Sequence, residues 1–193
     1  METIRTIMQR AHASSVQQQS QTSLPASEQR TRELDNLLVA WNPARQTEIA
    51  ADAESAFTMQ CPTLSELRRD YGGNAPIMWL AAQLYDLCEY TGARKMDAPQ
   101  IEATARTLYA EAYYMTLAEW QLFFARCKAG RYGKFYGVVD AMALGSWLQE
   151  FKRTRDDAHE RRIRRENVER IDAGRANAVS YEEYQRRKRE GLL

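Results

Sequence analysis

Histidine and cysteine are scarce. Two histidines, His12 and His159, and three cysteines, Cys61, Cys88 and Cys127, are all the chain contains. An odd number of cysteines at wide spacing, with no CxxC pair, argues against a disulfide framework and against a cysteine-rich zinc site. Cys88 and Cys127 fall in apolar helical patterns and are expected as small buried hydrophobes, in a reducing, cytoplasmic compartment. His12 sits in a polar N-terminal segment and His159 in a charged one. Neither context suggests a buried pocket, so a histidine-based triad or two-histidine metal site is not expected. The phosphate-loop pattern GxxxxGK[ST] and the dinucleotide pattern GxGxxG are missing, which leaves nucleotide hydrolysis without a motif. Asp86, Glu89, Glu102 and Glu111 form no HxxE or ExxH pair, and Asp86 and Glu89 read as a solvated helix edge. These absences predict a protein that is not an enzyme and carries no metal or cofactor.

Long apolar runs are missing too. The most apolar segment, Ala75 to Leu87, is interrupted by Gln83 and Asp86 and is too short to span a bilayer. No membrane partner is expected, and the N-terminus lacks the apolar core of a secretory signal. Net charge is only +1, so attraction to a polyanion must come from a local patch. Strand alternation, hairpin signals and internal repeats are also absent. Hydrophobic residues still make up 44% of the 193 residues, enough for one packed domain with extensions.

What is present is helical punctuation. Residues 13–32 form a Ser/Gln/Thr run that offers little to bury and is expected as a disordered linker. Leu34, Leu37, Leu38 and Trp41 then recur at helical spacing. Ala44 to Met59 reads as an alanine-rich, peripheral helix. From Cys61 the signals sharpen. Thr63 with Glu66, Thr116 with Glu119 and Ser180 with Glu183 have the spacing of capping boxes. Asn74 precedes Pro76, Asp97 precedes Pro99, and Asp140 precedes a run with Leu144, Trp147, Leu148 and Phe151. The short gap from Ala112 to Thr116 predicts antiparallel pairing of the helices on either side. After Phe151 charges dominate. Glu160–Arg164 and Glu166–Arg170 are spaced for ion pairs one turn apart, as in a solvated extension of the preceding helix ending near Gly174, followed by a last basic helix. The expected organisation is an N-terminal arm over 1–60, an all-α core of about five helices over 61–151 and a charged helical extension over 152–193. The arm is expected to be flexible and the core a compact bundle.

One stretch stands out. Between Glu119 and Asp140 the chain has no acidic residue, yet it carries Arg126, Lys128, Arg131 and Lys134, with Tyr132, Phe135 and Tyr136 among Gly130, Gly133 and Gly137. Glycines let a backbone turn or approach a ligand closely. The cations suit phosphates, and Tyr132 and Tyr136 suit stacking on unpaired bases. The competing reading is an interhelix connection in which Phe135 and Tyr136 close the core while the cations stay solvated.

Cys61-Pro62-Thr63-Leu64-Ser65-Glu66-Leu67-Arg68, then Trp79-Leu80, then Lys128 through Gly137 with Asp140, resemble an uncharacterised family of small helical proteins from bacterial prophages and conjugative elements. The resemblance covers about residues 61–151, and the glycine loop is its most specific part. It implies no activity and no catalytic residues; it implies a setting beside mobile-element replication or transfer. Residues and resemblance together predict an accessory protein whose anion-binding or nucleic-acid-binding residues are Arg126, Lys128, Arg131, Tyr132, Lys134 and Tyr136. The alternative is a protein-interaction adaptor, or a self-associating protein, that docks through its N-terminal arm and charged C-terminal helix.

Overall fold

The computed structural model of the chain describes residues 26–176 and 181–191, and the chain divides into two units after Trp41. The first unit contains helix α1, Ala26–Ala40. The helix begins inside the expected linker because Glu28, Gln29, Arg30, Arg32 and Glu33 are strong helix formers. Gln29 donates to Glu33 one turn on, at 3.2 Å. The rest of the Ser/Gln run and His12 lie outside the described residues.

In the second unit, Asn42 caps a 3₁₀ turn, Pro43–Arg45, by accepting the Ala44 N–H at 2.8 Å. The expected single helix over 44–59 is instead helix α2, Gln46–Ala51, and a second 3₁₀ turn, Ser55–Phe57. Asp52 separates them: its carboxylate accepts the Ser55 N–H at 3.2 Å and so competes with helix continuation. Neither piece is peripheral. Gln46, Ile49 and Ala56 are buried, and α2 lies along helix α6, Leu117–Lys128.

Helices α3 (Leu64–Tyr71), α4 (Ala75–Thr91), α5 (Ala98–Ala112) and α7 (Ala141–Ala176) complete the packed region, and α8 (Tyr181–Arg189) follows. The all-helical class is as expected, while the count of five is too low: α1, α2 and α8 stand beside the five. Among the described residues, extended pairing is limited to isolated bridges, Thr63 with Thr116 and Arg94 with Val138. Thr63 and Thr116 each form the reciprocal capping box. Asp97 makes one with Gln100 that the spacing had not revealed. Ser180 lies outside the described residues. The Leu64 N–H donates to the Met115 carbonyl at 3.2 Å and the Leu117 N–H to the Pro62 carbonyl at 2.9 Å. These bonds stitch the starts of α3 and α6 side by side.

Helix α4 is central, with Trp79, Leu80, Leu84 and Leu87 buried. The antiparallel pairing expected between α5 and α6 is not the main contact. Helix α5 packs chiefly on α4, because α2 and the Ser55–Phe57 turn take the flank of α6. Helix α6 is buried nearly all round, and Trp120, Phe123 and Phe124 meet ring to ring at 5.3–6.0 Å. Helix α7 starts where Asp140 accepts the Met142 N–H at 2.8 Å. Its first turns bury Leu144, Leu148 and Phe151, each contributing about 1.5–3 kcal/mol. The same helix continues as the charged extension, past Gly174. No helix among the described residues is long and apolar enough to cross a membrane.

Candidate functional site

The glycine loop begins as a helix stop. The Arg131 N–H donates to the Arg126 carbonyl and the Gly130 N–H to the Cys127 carbonyl, both at 3.0 Å, while Gly130 has φ +68°. This is a Schellman motif, and its left-handed position is why glycine ends α6 there. Further along, the Arg94 N–H donates to the Gly137 carbonyl at 2.9 Å and the Val139 N–H to the Arg94 carbonyl at 3.2 Å. The loop is therefore anchored at both ends.

The six residues picked out by sequence separate into three environments. Arg131, Lys134 and Tyr136 are exposed, and the Tyr136 ring is 92% accessible. Tyr132 turns inward, with Phe123 and Trp147 each at 6.1 Å. Burial raises its hydroxyl pKa, partly countered by the neighbouring Arg126 guanidinium. Tyr132 is thus a core contact and not a stacking platform. The competing expectation was that Phe135 and Tyr136 both close the core. Only Phe135 does so, against Trp147 at 4.6 Å. Lys128 is not free for phosphate: it is paired with Asp86 and lies over the Tyr90 ring at 5.2 Å. Asp86 is correspondingly not a bare solvated edge. Arg126 is half-buried, 5.9 Å from the Phe57 ring centroid and 5.4 Å from that of Phe151. Its Nη1 is buried without a hydrogen-bond partner.

What brings Arg126 and Arg131 into a site is the extension of α7. Glu119 is 1% exposed. One carboxylate oxygen accepts the Thr116 N–H at 2.9 Å. The other accepts from Arg155 Nε at 2.8 Å and pairs with His159 Nε2 at 3.0 Å. His159, read from sequence as part of a solvated segment, is therefore a docking residue. Two turns and less beyond it, Arg162 donates to the Phe57 carbonyl at 3.3 Å and Arg165 pairs with Glu54 at 3.0 Å. The ion pairs expected along the extension are realised in part. Arg164 binds Glu160 at 3.0 Å, but Glu166 turns to Arg162 at 3.6 Å instead of Arg170.

The result is a cleft of about 540 Å³ between the Ser55–Phe57 turn, the end of α6 and the middle of α7. Arg126, Arg131, Arg161, Arg162 and Arg165 line it, against Glu54 and Glu166, a net of three positive charges. Among the described residues no carboxylate pairs with Arg126, Arg131 or Arg161. Sequence reasoning missed the three α7 arginines, although Ala158, Arg161, Arg162 and Arg165 have the i, i+3, i+4, i+7 spacing of a single helix face. The chemistry available is anion binding by guanidinium groups.

No curated protein matches the chain, and neither does any solved structure. A family match is found over residues 95–191, later in the chain than the 61–151 of the expected resemblance, and it takes in the glycine loop, the α7 arginines and the described part of the C-terminus. That match is to the Family of unknown function (DUF6633) and covers half of the 193 residues, so the chain belongs to this family.

Proposed function

We propose that the protein is a non-enzymatic accessory factor that contacts nucleic acid through the arginine cleft and the adjoining glycine loop. The observation that carries this reading is the convergence of Arg126, Arg131 and Arg161, none paired with a carboxylate among the described residues, on one cleft. Arg126 is partly desolvated without a counter-charge, an arrangement that an incoming phosphate relieves. Lys134 and Tyr136, exposed further along the loop, add a phosphate contact and a ring on which an unpaired base stacks. The resemblance to prophage and conjugative-element proteins supports a role beside the replication or transfer of a mobile element.

A salt titration tests it. With four phosphate contacts from Arg126, Arg131, Lys134 and Arg161, single-strand affinity should fall with a log–log slope of about −3, roughly fiftyfold between 50 and 200 mM salt. Charge reversal at Arg131 and Lys134 should weaken binding and flatten the slope. No salt-sensitive binding at low ionic strength, or unchanged binding in the reversed variant, rules the reading out.

A second reading, protein docking, is favoured by one observation. Past the docked turns, α7 leaves Val168 and Ile171 more than half exposed. Truncation after Glu166 should abolish partner capture while the packed region stays folded. Capture that survives this truncation removes the reading.

A further inference from the structure

An arginine cleft takes either the diester phosphates along a strand or a monoester phosphate at its end. We infer that this cleft takes a phosphomonoester dianion, an inference that rests on the reading of the cleft as a phosphate site. The chemistry is shared by the terminal phosphate of a nucleic-acid strand and by a free mononucleotide.

Three features favour the monoester. The first is direction. Arg126 reaches the cleft from α6, Arg131 from the loop and Arg161 from α7. A monoester presents three terminal oxygens, whereas an internal diester presents two, so guanidinium groups arriving from three elements are better matched by the monoester. The second is charge. The lining carries a net of three positive charges. A monoester carries about −1.5 to −2 near neutral pH, and with the first diester beyond it comes close to that sum. Two successive internal diesters bring only about −2. The two carboxylates at the site are already engaged, Glu54 by Arg165 at 3.0 Å and Glu166 by Arg162 at 3.6 Å, which limits their repulsion of the ligand. The third is size. The volume of about 540 Å³ falls in the range of about 300–1,000 Å³ typical of small-ligand sites. It suits one nucleotide and its phosphate, not a length of strand. Arg126, held over two aromatic rings with a buried unpartnered Nη1, is less exposed than Arg131 and Arg161 and gains from a doubly charged ligand.

The experiment compares two single-stranded oligonucleotides of one sequence, 5′-phosphorylated and 5′-hydroxyl, by fluorescence anisotropy with the full-length protein. The phosphorylated strand should bind about tenfold tighter or more, the effect of one additional hydrogen bond between charged groups. Inorganic phosphate should erode that difference before it erodes the remaining affinity. A 5′-mononucleotide that competes far better than inorganic phosphate identifies the free nucleotide as the source of the ligand. Competition no better than inorganic phosphate points to the strand end. In Arg161→Gln, an exposed substitution, the ratio between the two strands should fall toward one. Arg126→Gln should do the same, with a melting curve to show that the packing around Phe57 and Phe151 persists. Equal binding of the two strands overturns the inference and leaves the nucleic-acid reading standing. Failure of both strands to bind at low salt overturns both.

Discussion

Replacing Glu119 by Ala should be among the most damaging single changes to this fold. The carboxylate is 1% exposed and has three partners: the Thr116 N–H at 2.9 Å, Arg155 Nε at 2.8 Å and His159 Nε2 at 3.0 Å. Removing it leaves the half-buried Thr116 N–H without its acceptor, which costs at most about 1–3 kcal/mol. It also breaks a buried ion pair from one side. The Arg155 side chain is only 18% exposed; stripping the partner from such a group typically costs about 3–5 kcal/mol, and the Asp156 carboxylate that Arg155 keeps at 3.2 Å puts this pair at the low end. The terms overlap because both groups relax toward solvent, so the expected total is about 3–5 kcal/mol and not their sum. Against a stability of roughly 5–15 kcal/mol for a domain, that is a large fraction. In urea, with a slope of about 2 kcal/mol/M, the unfolding midpoint should fall by about 1.5–2.5 M. The cycle with Arg155→Ala should show coupling of about 1.5 kcal/mol or more. A loss below about 1 kcal/mol, the range of ordinary surface substitutions, refutes the assignment of Glu119 as the staple between α6 and α7. Because that staple fixes the α7 arginines beside Phe57, the same variant should also weaken oligonucleotide binding under conditions where it remains folded.

Two glycine substitutions should act with opposite sign. Gly130→Ala forces a side chain into the left-handed region at φ +68°, with no close neighbour to blame. The strain of about 1–2 kcal/mol should appear as a lower Tm. Gly145→Ala, inside α7 with open space around it, should raise stability by about 0.5–1 kcal/mol through helix propensity. Thiol labelling of the native protein at mildly alkaline pH should modify Cys61 and spare Cys127. Burial raises both thiols, Cys127 well above its ordinary range and the half-buried Cys61 less, so Cys61 reacts first. Rapid labelling of Cys127 before unfolding would contradict its placement.

The parts of the fold set by neighbours in sequence were legible. Thr63 with Glu66, Thr116 with Glu119 and Asp97 with Pro99 announce their helices because a cap is a contact over three residues. The apolar stripe of α4 predicts its central place for the same reason. What stayed hidden depends on long-range packing. Alanine-rich α2 looks too poor in apolar side chains to be buried, yet it docks along α6 with Gln46 and Ile49 buried, while Ala50 and Ala51 stay exposed. Gln46 then reaches Gln83 at 2.6 Å inside the core, a contact across 37 residues. The capping role of Glu119 was readable, but its second oxygen belongs to Arg155 and His159, more than 35 residues away. The basic loop was found by composition alone, which cannot tell Lys128, neutralised by Asp86, from Arg131, which stays open. The cleft itself needed the knowledge that α7 runs past Phe57.

That run has a consequence for how this chain tolerates change. Helix α7 is continuous over 36 residues, about 54 Å at 1.5 Å per residue. The buried turns before Phe151 and the arginines after His159 share one unbroken rotational phase. Inserting or deleting one residue between Phe151 and Arg161 turns every later side chain by about 100°. The cleft would lose Arg161, Arg162 and Arg165, the cations that α7 supplies, while composition, charge and helix content barely changed. Point substitutions along this rod shift single contacts, whereas a change in its length scrambles the alignment of all of them.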